Sequence, residues 1–508
     1  MQKSILIYNE QSIYMIELIN RANDFLKNTA IYSNGKSYAY AELKDESAQL
    51  AIHLLLGKAD LEETRVAFMI NPGFDYVKVQ WAIWQAGAIA VPLCLSHPFP
   101  SLQYVLEDTS SEIIVLNEVY EAMFESYAKE NAIRIVVIED EIKNNPKQLP
   151  SIDASRRAMI LYTSGTTNKP KGVVTTHLNI EAQISSLFTA WKWTSSDRII
   201  CVLPLHHVHG IINVVGCALW SGANCTFLHS FSEQEIFQHF KSGSINLFMA
   251  VPTIYHKLIA YFDGLSIDDQ KELHTAMKQF RLMVCGSAAL PVSVMEKWET
   301  ISGQRLLERY GMTEIGMGLS NSYEGERKAG YVGLPLPGVE VMLANEQYQA
   351  SLQDEPGEIL IKGNTVFKEY WKNPKATAET FTVNGWFKTG DIAVIENGYY
   401  RIMGRNSVDI IKSGGYKISA LEIEEVLRNN DAIIDCAVIG IPDEEWGELI
   451  VAAVVTKESA FDTQLLNSWL RSQIASYKTP RKYIQVNELP RNAMGKVVKG
   501  EVKKLFII

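Results

Sequence analysis

No apolar run of about twenty residues occurs in this sequence, so no membrane-spanning helix is expected. Positive charge is in deficit. Against 58 Asp and Glu stand 48 Lys and Arg, a net charge of −10, which disfavours nucleic acid or an anionic membrane surface as the main partner. Cysteine is sparse and scattered: Cys94, Cys201, Cys217, Cys225, Cys285 and Cys436 form no CxxC pair and lie mostly in apolar runs. That argues against a disulfide framework or structural zinc and for buried, reduced thiols. No internal repeat or low-complexity tract is evident. The start, Met1 to Glu10, is too short in its apolar part and too soon acidic for a secretory signal, so a cytoplasmic protein is expected.

What is present is ordinary globular material, 47% hydrophobic and 21% charged, in a 508-residue chain too long for one core. From Arg65 apolar strands alternate with helical stretches: Val66 to Ile70, a turn at Asn71-Pro72-Gly73, a helix from Phe74 to Ala86, then Ala88 to Leu93. Similar runs at Ile113 to Leu116 and Ile133 to Ile138 extend this βαβ rhythm, which predicts a largely parallel sheet. Later runs at Ile199 to Leu203, Cys225 to Leu228, Leu247 to Val251 and Leu282 to Cys285 end in polar turns, where α/β sheets place ligands.

The stretch richest in chemistry follows the apolar run Ala158 to Leu161: Tyr162-Thr163-Ser164-Gly165-Thr166-Thr167-Asn168-Lys169-Pro170-Lys171-Gly172. Glycines that admit an anion close to the backbone, hydroxyl donors and two lysines suit a polyphosphate. It is no Walker A loop, because Pro170 interrupts it and Val173-Val174 continue as a strand. The whole pattern resembles the phosphate loop of the adenylate-forming superfamily of acyl-CoA synthetases, luciferases and peptide-synthetase adenylation domains. One departure is Asn168 where the family usually has Gly, and Asn is the side chain that best tolerates a left-handed backbone.

Further motifs follow in family order. Cys285-Gly286-Ser287-Ala288-Ala289-Leu290-Pro291 resembles the adenine-side loop, although a plain strand-to-helix turn would look alike. Tyr310-Gly311-Met312-Thr313-Glu314 matches the pattern whose Tyr stacks on adenine, whose Thr reaches the α-phosphate and whose Glu binds magnesium. An aromatic face, a hydroxyl and a hard oxygen ligand suit those three jobs. Pro204-Leu205-His206-His207-Val208-His209-Gly210 suggests a metal at first glance, but no acidic or cysteine co-ligand stands at metal spacing. By resemblance His207 is instead a gate or orienter beside the acyl pocket.

Arg309 departs from many relatives, which carry a small residue there. A guanidinium cannot serve a hydrocarbon tail, since a desolvated charge would be left unpaired. A second carboxylate on the substrate could pair with it bidentately. With Gly325 to Gly330 and Val332 to Gly338, this region resembles the malonyl-CoA synthetase branch, and Lys257 and Arg327 are further candidates for the distal carboxylate. The bland alternative is that Arg309 pairs with a neighbouring acid as scaffold.

Gly385 to Asp391 and Gly404-Arg405 resemble the motifs whose Asp accepts both ribose hydroxyls and whose Arg reinforces it; a carboxylate suits a vicinal diol. Gly414-Gly415 resembles the loop lining the pantetheine tunnel. Pro490 to Lys496 matches the last family motif, whose lysine, here Lys496, reaches the α-phosphate and the attacking carboxylate.

The resemblance runs from about Arg65 to Lys499 and implies an α/β fold, a large N-terminal domain of mainly parallel layers (1–404) joined by a hinge (405–408) to a small mobile α+β domain (409–508). Asn406-Ser407-Val408-Asp409 is one residue longer than the common hinge, leaving Ser407 and Val408 as candidates for the pivot. The implied activity joins a carboxylate, most simply malonate or methylmalonate, to coenzyme A at the expense of ATP, with Mg²⁺, through an acyl-adenylate. A ligase for medium-chain fatty or aryl monocarboxylates, an enzyme loading a carrier protein, and a catalytically dead nucleotide-binding regulator are the alternatives. The expected partners are small molecules, with no nucleic acid or membrane, and the expected assembly is a monomer or homodimer.

Overall fold

The computed structural model describes residues 16–138, 148–163, 170–352, 354–457, 462–492 and 495–506. By its contacts the chain falls into two compact units, one from the described parts of 1–231, 312–316 and 364–377, the other from those of 232–311, 317–363 and 378–508.

In the first unit the expected βαβ rhythm is present. Strand Arg65–Met69 leads through the Gly73 turn to helix Phe74–Gln85 and on to strand Ile89–Pro92, which pairs with the first in parallel, Arg65 opposite Ile89. Gly87 ends that helix at φ +79°, and a Cβ there would lie 2.1 Å from Asp60 Oδ1, so only glycine fits. The sheet runs in the order Glu369–Tyr370, Lys171–Thr176, Arg157–Thr163, Ile89–Pro92, Arg65–Met69, Ile113–Leu116, Arg134–Val137. Its last five strands are parallel; Lys171–Thr176 and Glu369–Tyr370 are antiparallel additions. Such a sheet is covered on both faces, which is why its strands are apolar runs and do not alternate.

Helix His177–Ala190 follows at once. Thr176 Oγ1 accepts the Asn179 N–H at 3.1 Å and Asn179 Oδ1 accepts the Thr176 N–H at 2.9 Å, a reciprocal cap. The same helix anchors a distant segment: Asn179 Nδ2 donates to the carbonyls of Asn364 and Val366, and Gln183 Nε2 to that of Thr365. From the third histidine of the triplet onward the chain forms a wide π-helix, His209–Gly216, all eight residues of it buried. Turns of that width are rare and frequently occur at functional sites.

The second unit begins with parallel strands Leu247–Ala250, Leu282–Cys285 and Leu307–Met312. It then changes to an antiparallel sheet of Glu340–Ala344, Gly357–Lys362, Phe387–Glu396 and Tyr399–Arg405. The third of these strands escaped sequence reading because Lys388, Thr389, Gly390 and Asp391 interrupt its apolar pattern. Beyond residue 409 a further sheet of Tyr416–Ser419, Ile410–Ser413, Gly447–Thr456 and Ile433–Asp443 forms, with Lys482–Gln485 beside the third. One apolar core of this part, including Ile411, Ile423, Leu427, Val438 and Val454, is drawn wholly from this stretch. All six cysteines are free and buried, and among the described residues no helix is long and apolar enough to cross a membrane.

Candidate active site

Strand Leu307–Met312 presents successive side chains to opposite faces, so Glu308 and Tyr310 share one and Arg309 takes the other. Arg309 is 3% exposed. Its Nη2 donates to Ser287 Oγ at 3.1 Å, and among the described residues its Nε has no hydrogen-bond partner and no carboxylate lies within ion-pair distance of it. Burial lowers its pKa to about 10, opposed by Cys285 and Glu308, so it stays charged at neutral pH. The guanidinium packs over Gly286, and Ser287 beside it adopts φ +71°.

Glu308 is the buried acid next door. Its Oε1 accepts the Leu290 N–H at 3.2 Å, Oε2 has no hydrogen-bond partner among the described residues, and burial pushes its pKa up to about 8. It is therefore largely neutral at pH 7, and it braces the turn holding Ser287 and the exposed Ala288.

On the other strand pair, the register that sets Asp391 opposite Arg405 fixes a second group. Arg405 Nε donates to Asp391 Oδ1 at 3.0 Å and Nη2 to the Thr389 carbonyl at 3.1 Å, while the Tyr310 hydroxyl donates to Asp391 Oδ2 at 2.6 Å. Burial, then the Asp391 charge, holds the Tyr310 phenol well above its usual pKa. Each Asp391 oxygen keeps a lone pair for a further donor. Lys496 enters the same electrostatic neighbourhood. Although water reaches it, the protein around it, then Arg405 and Arg309, lower its pKa against the opposing pull of Asp391. Gly495 before it, at φ +74°, comes close to Thr253 on helix Pro252–Asp263.

The two other distal-carboxylate candidates are placed differently. Arg327 spends its guanidinium on backbone, Nη1 on the Arg305 carbonyl at 2.6 Å and Nη2 on that of Tyr323 at 3.1 Å. Lys257 is exposed on its helix. Gly415 stands with Gly414 in a two-residue hairpin turn joining Ser413 to Tyr416, both glycines at positive φ as such a turn demands.

The first unit carries the remaining candidates. Glu314, 6% exposed, accepts the Tyr370 hydroxyl at 2.9 Å through Oε1 and the Phe367 N–H at 2.7 Å through its carbonyl. Lys171 Nζ lies 5.0 Å from the centre of the Tyr370 ring. Lys171 stands opposite Thr163 in the antiparallel register, and Ser164, Gly165, Thr166, Thr167, Asn168 and Lys169 lie outside the described residues. Thr313 is half-buried; Gly311, which belongs to the second unit, is half-buried near the end of strand Leu307–Met312. His207 is half-buried with its ring 4.0 Å from that of His206, whose pKa is lowered to about 4 by burial and then by His97. Among the described residues no group of three or more His, Cys, Asp or Glu is placed to hold a metal ion. Tyr370 and Glu308 were missed in the sequence, since nothing in their local pattern marks contacts made 56 and 18 residues away.

A family profile described as AMP-binding enzyme matches residues 18–371, and one described as AMP-binding enzyme C-terminal domain matches 422–496. The chain belongs to the AMP-binding enzyme family. This AMP-binding enzyme is 42% identical to a Xenopus laevis protein named malonate–CoA ligase ACSF3, mitochondrial, over 96% of this chain and 92% of that protein. Its identity to the human protein of that name is 41%, over the same shares. Among solved structures it is similar to ATP-bound MatB from Rhodopseudomonas palustris, with a TM-score of 0.88, 30% identity, and coverage of 97% of this chain and 99% of that one.

These names overturn the cytoplasmic expectation, because four vertebrate relatives at 40 to 42% identity are named as mitochondrial. The physical reason for the error is plain. The expectation rested on the lack of a secretory signal and of a membrane span, and neither bears on an organelle address, which receptors read from segments of a different character.

Proposed function

We propose that this AMP-binding enzyme is a malonate–CoA ligase, converting malonate, ATP and coenzyme A into malonyl-CoA, AMP and pyrophosphate. The observation that carries the substrate reading is Arg309, a buried guanidinium with one hydrogen bond and no carboxylate partner among the described residues. A buried charge without a partner costs several kcal/mol, on the order of what a substrate carboxylate would restore. The names of the malonate–CoA ligase relatives support the same reading.

In the first step a malonate carboxylate oxygen attacks the α-phosphorus of ATP and pyrophosphate leaves. The carboxylate is itself the nucleophile, so the protein must neutralise charge and hold the line of attack. Lys496 bridges the attacking carboxylate and the α-phosphate, Thr313 donates to that phosphate, and the loop from Thr163 to Lys171 holds the β- and γ-phosphates. Asp391, steadied by Arg405 and Tyr310, takes the ribose hydroxyls, and the Gly286-Ser287-Ala288 turn lies along the adenine. His207 orients the acyl group. Glu314, a hard oxygen donor steadied by Tyr370, would hold Mg²⁺. The ion would neutralise charge on the phosphates.

In the second step the CoA thiol gives up its proton and displaces AMP from the acyl carbon. The ammonium must withdraw and the thiol enter, so the part after residue 409 turns about 405–408 and the Gly414-Gly415 turn then lines the thiol's path.

The deciding experiment incubates the protein with MgATP, CoA and equimolar malonate, methylmalonate, succinate, acetate, octanoate and benzoate, and identifies thioesters by mass. Malonyl-CoA as the main product is expected. A monocarboxyl thioester as the main product would overturn the role of Arg309 and leave the family assignment standing.

A further inference from the structure

Lys496 sits in a small closed segment of backbone. Asn492 Oδ1 accepts the Lys496 N–H at 3.0 Å, the Asn492 N–H donates to the Lys496 carbonyl at 2.9 Å, and Arg491 bridges to Val497. The Val498 N–H closes the stem on the Pro490 carbonyl at 2.8 Å. The next residue is Lys499. Its side chain is 9% exposed, with Nζ 2.6 Å from Asp409 Oδ1 and 2.8 Å from Glu424 Oε1.

Both carboxylates have structural tasks besides. Asp409 Oδ2 accepts the Arg405 N–H at 3.0 Å, and the Asp409 N–H donates to the Arg405 carbonyl at 2.7 Å. Gly404 lets the turn close this tightly, since a Cβ at its φ of +126° would stand 2.4 Å from Asp409 Cβ. Arg405 is the residue whose guanidinium holds Asp391. Glu424 Oε1 accepts the Val438 N–H at 2.8 Å, and Oε2 lies 3.5 Å from Arg428. Burial works against the Lys499 charge, and the two carboxylates outweigh it. An exposed lysine pair contributes little, whereas a buried one that loses a partner strands a charge in protein.

We propose that Lys499 is a positioning residue for adenylation: through Asp409 it ties the Lys496 segment to the strand that carries Arg405. The inference rests on the adenylation role of Lys496 given above. Lys499 touches no substrate in this scheme; it sets where Lys496 is delivered relative to Asp391.

The test uses the full chain in three variants, Lys499→Met, Lys499→Arg, and the double variant Lys499→Met with Asp409→Asn, which leaves no unmatched aspartate and guards against misfolding. Each is compared with Lys496→Ala for malonate-dependent pyrophosphate exchange, for thioester formation from preformed malonyl-adenylate, and for thermal melting. In Lys499→Met and in the double variant, exchange is expected to fall on the order of 10- to 100-fold, the cost of a catalytic group held about 1 Å off its place. Thioester formation stays near the wild-type rate, and Lys499→Arg recovers most of the exchange. Equal losses in both half-reactions, or full exchange in a folded double variant, would overturn the proposal while Lys496→Ala still splits the two assays. If Lys496→Ala itself fails to split them, the reading of Lys496 falls, and the positioning role falls with it.

Discussion

Arg309 lies directly over the Cα of Gly286: a Cβ built on that glycine would come within 2.7 Å of the guanidinium Cζ and 2.8 Å of Nη1. The missing side chain is what lets the charge sit against the Gly286-Ser287-Ala288 turn, with Ser287 Oγ as its one hydrogen-bonding partner among the described residues. Gly286→Ala should therefore displace Arg309, at about 1–3 kcal/mol for overpacking a close contact. The loss is expected mainly in KM for malonate, measured in a coupled AMP-release assay, with KM for ATP changed less.

Removing the charge tests the substrate reading itself. Arg309→Met should lower kcat/KM for malonate by about 2–5 kcal/mol, roughly 30-fold to several thousand-fold, as when one partner of a desolvated charge pair is truncated. Acetate or a longer monocarboxylate should become a relatively better substrate. Unchanged malonate kinetics would make Arg309 scaffold.

Lys496→Ala should suppress malonate-dependent pyrophosphate exchange far more than thioester formation from preformed malonyl-adenylate. In the proposed mechanism the ammonium stabilises charge that develops only when the carboxylate attacks phosphorus. Equal losses in the two assays would remove it from the first step.

Tyr310→Phe keeps the ring and deletes the hydroxyl that donates to Asp391 at 2.6 Å. KM for ATP should rise by roughly 10- to 150-fold, in keeping with the ~1.5–3 kcal/mol of a hydrogen bond to a charged group. Arg405 still holds the other Asp391 oxygen, so kcat should change less than KM.

Glu308 gives a prediction with a definite sign. Its folded pKa, about 8, is above its ordinary 4.5 because of burial, with the Leu290 N–H pulling the other way. Between those values the folded protein holds a proton that the unfolded chain releases, so this group's contribution to stability is full below pH 4.5 and is lost as pH rises through 8. Glu308→Gln removes that dependence. Its melting temperature relative to the wild type should climb between pH 5 and pH 9, and a constant difference would show that Glu308 is ionised when folded.

How far the sequence could be read varies from element to element. The parallel strands from Arg65 to Val137 were legible because each is an apolar run buried on both faces and closed by Gly, Pro or Asn turns. The helix at 177–190 was legible from the spacing of Ile180, Ile184 and Leu187, all now buried. The strand Phe387–Glu396 was not, because Lys388, Thr389, Gly390 and Asp391 break the apolar alternation that marks a strand.

The residue types that an adenylating site needs were determined by the sequence alone, since Tyr310, Thr313, Glu314, Asp391, Arg405 and Lys496 stand in motifs whose chemistry is local. Tertiary structure alone decided how they are held. Tyr310 and Arg405 meet on one aspartate, Tyr370 steadies Glu314, Arg327 turns its charge onto backbone carbonyls, and Arg309 keeps its guanidinium over a glycine with no ion-pair partner among the described residues. Each of these depends on which distant strand or turn lies alongside and on how much water is left. Register and burial set both, and a linear pattern carries neither.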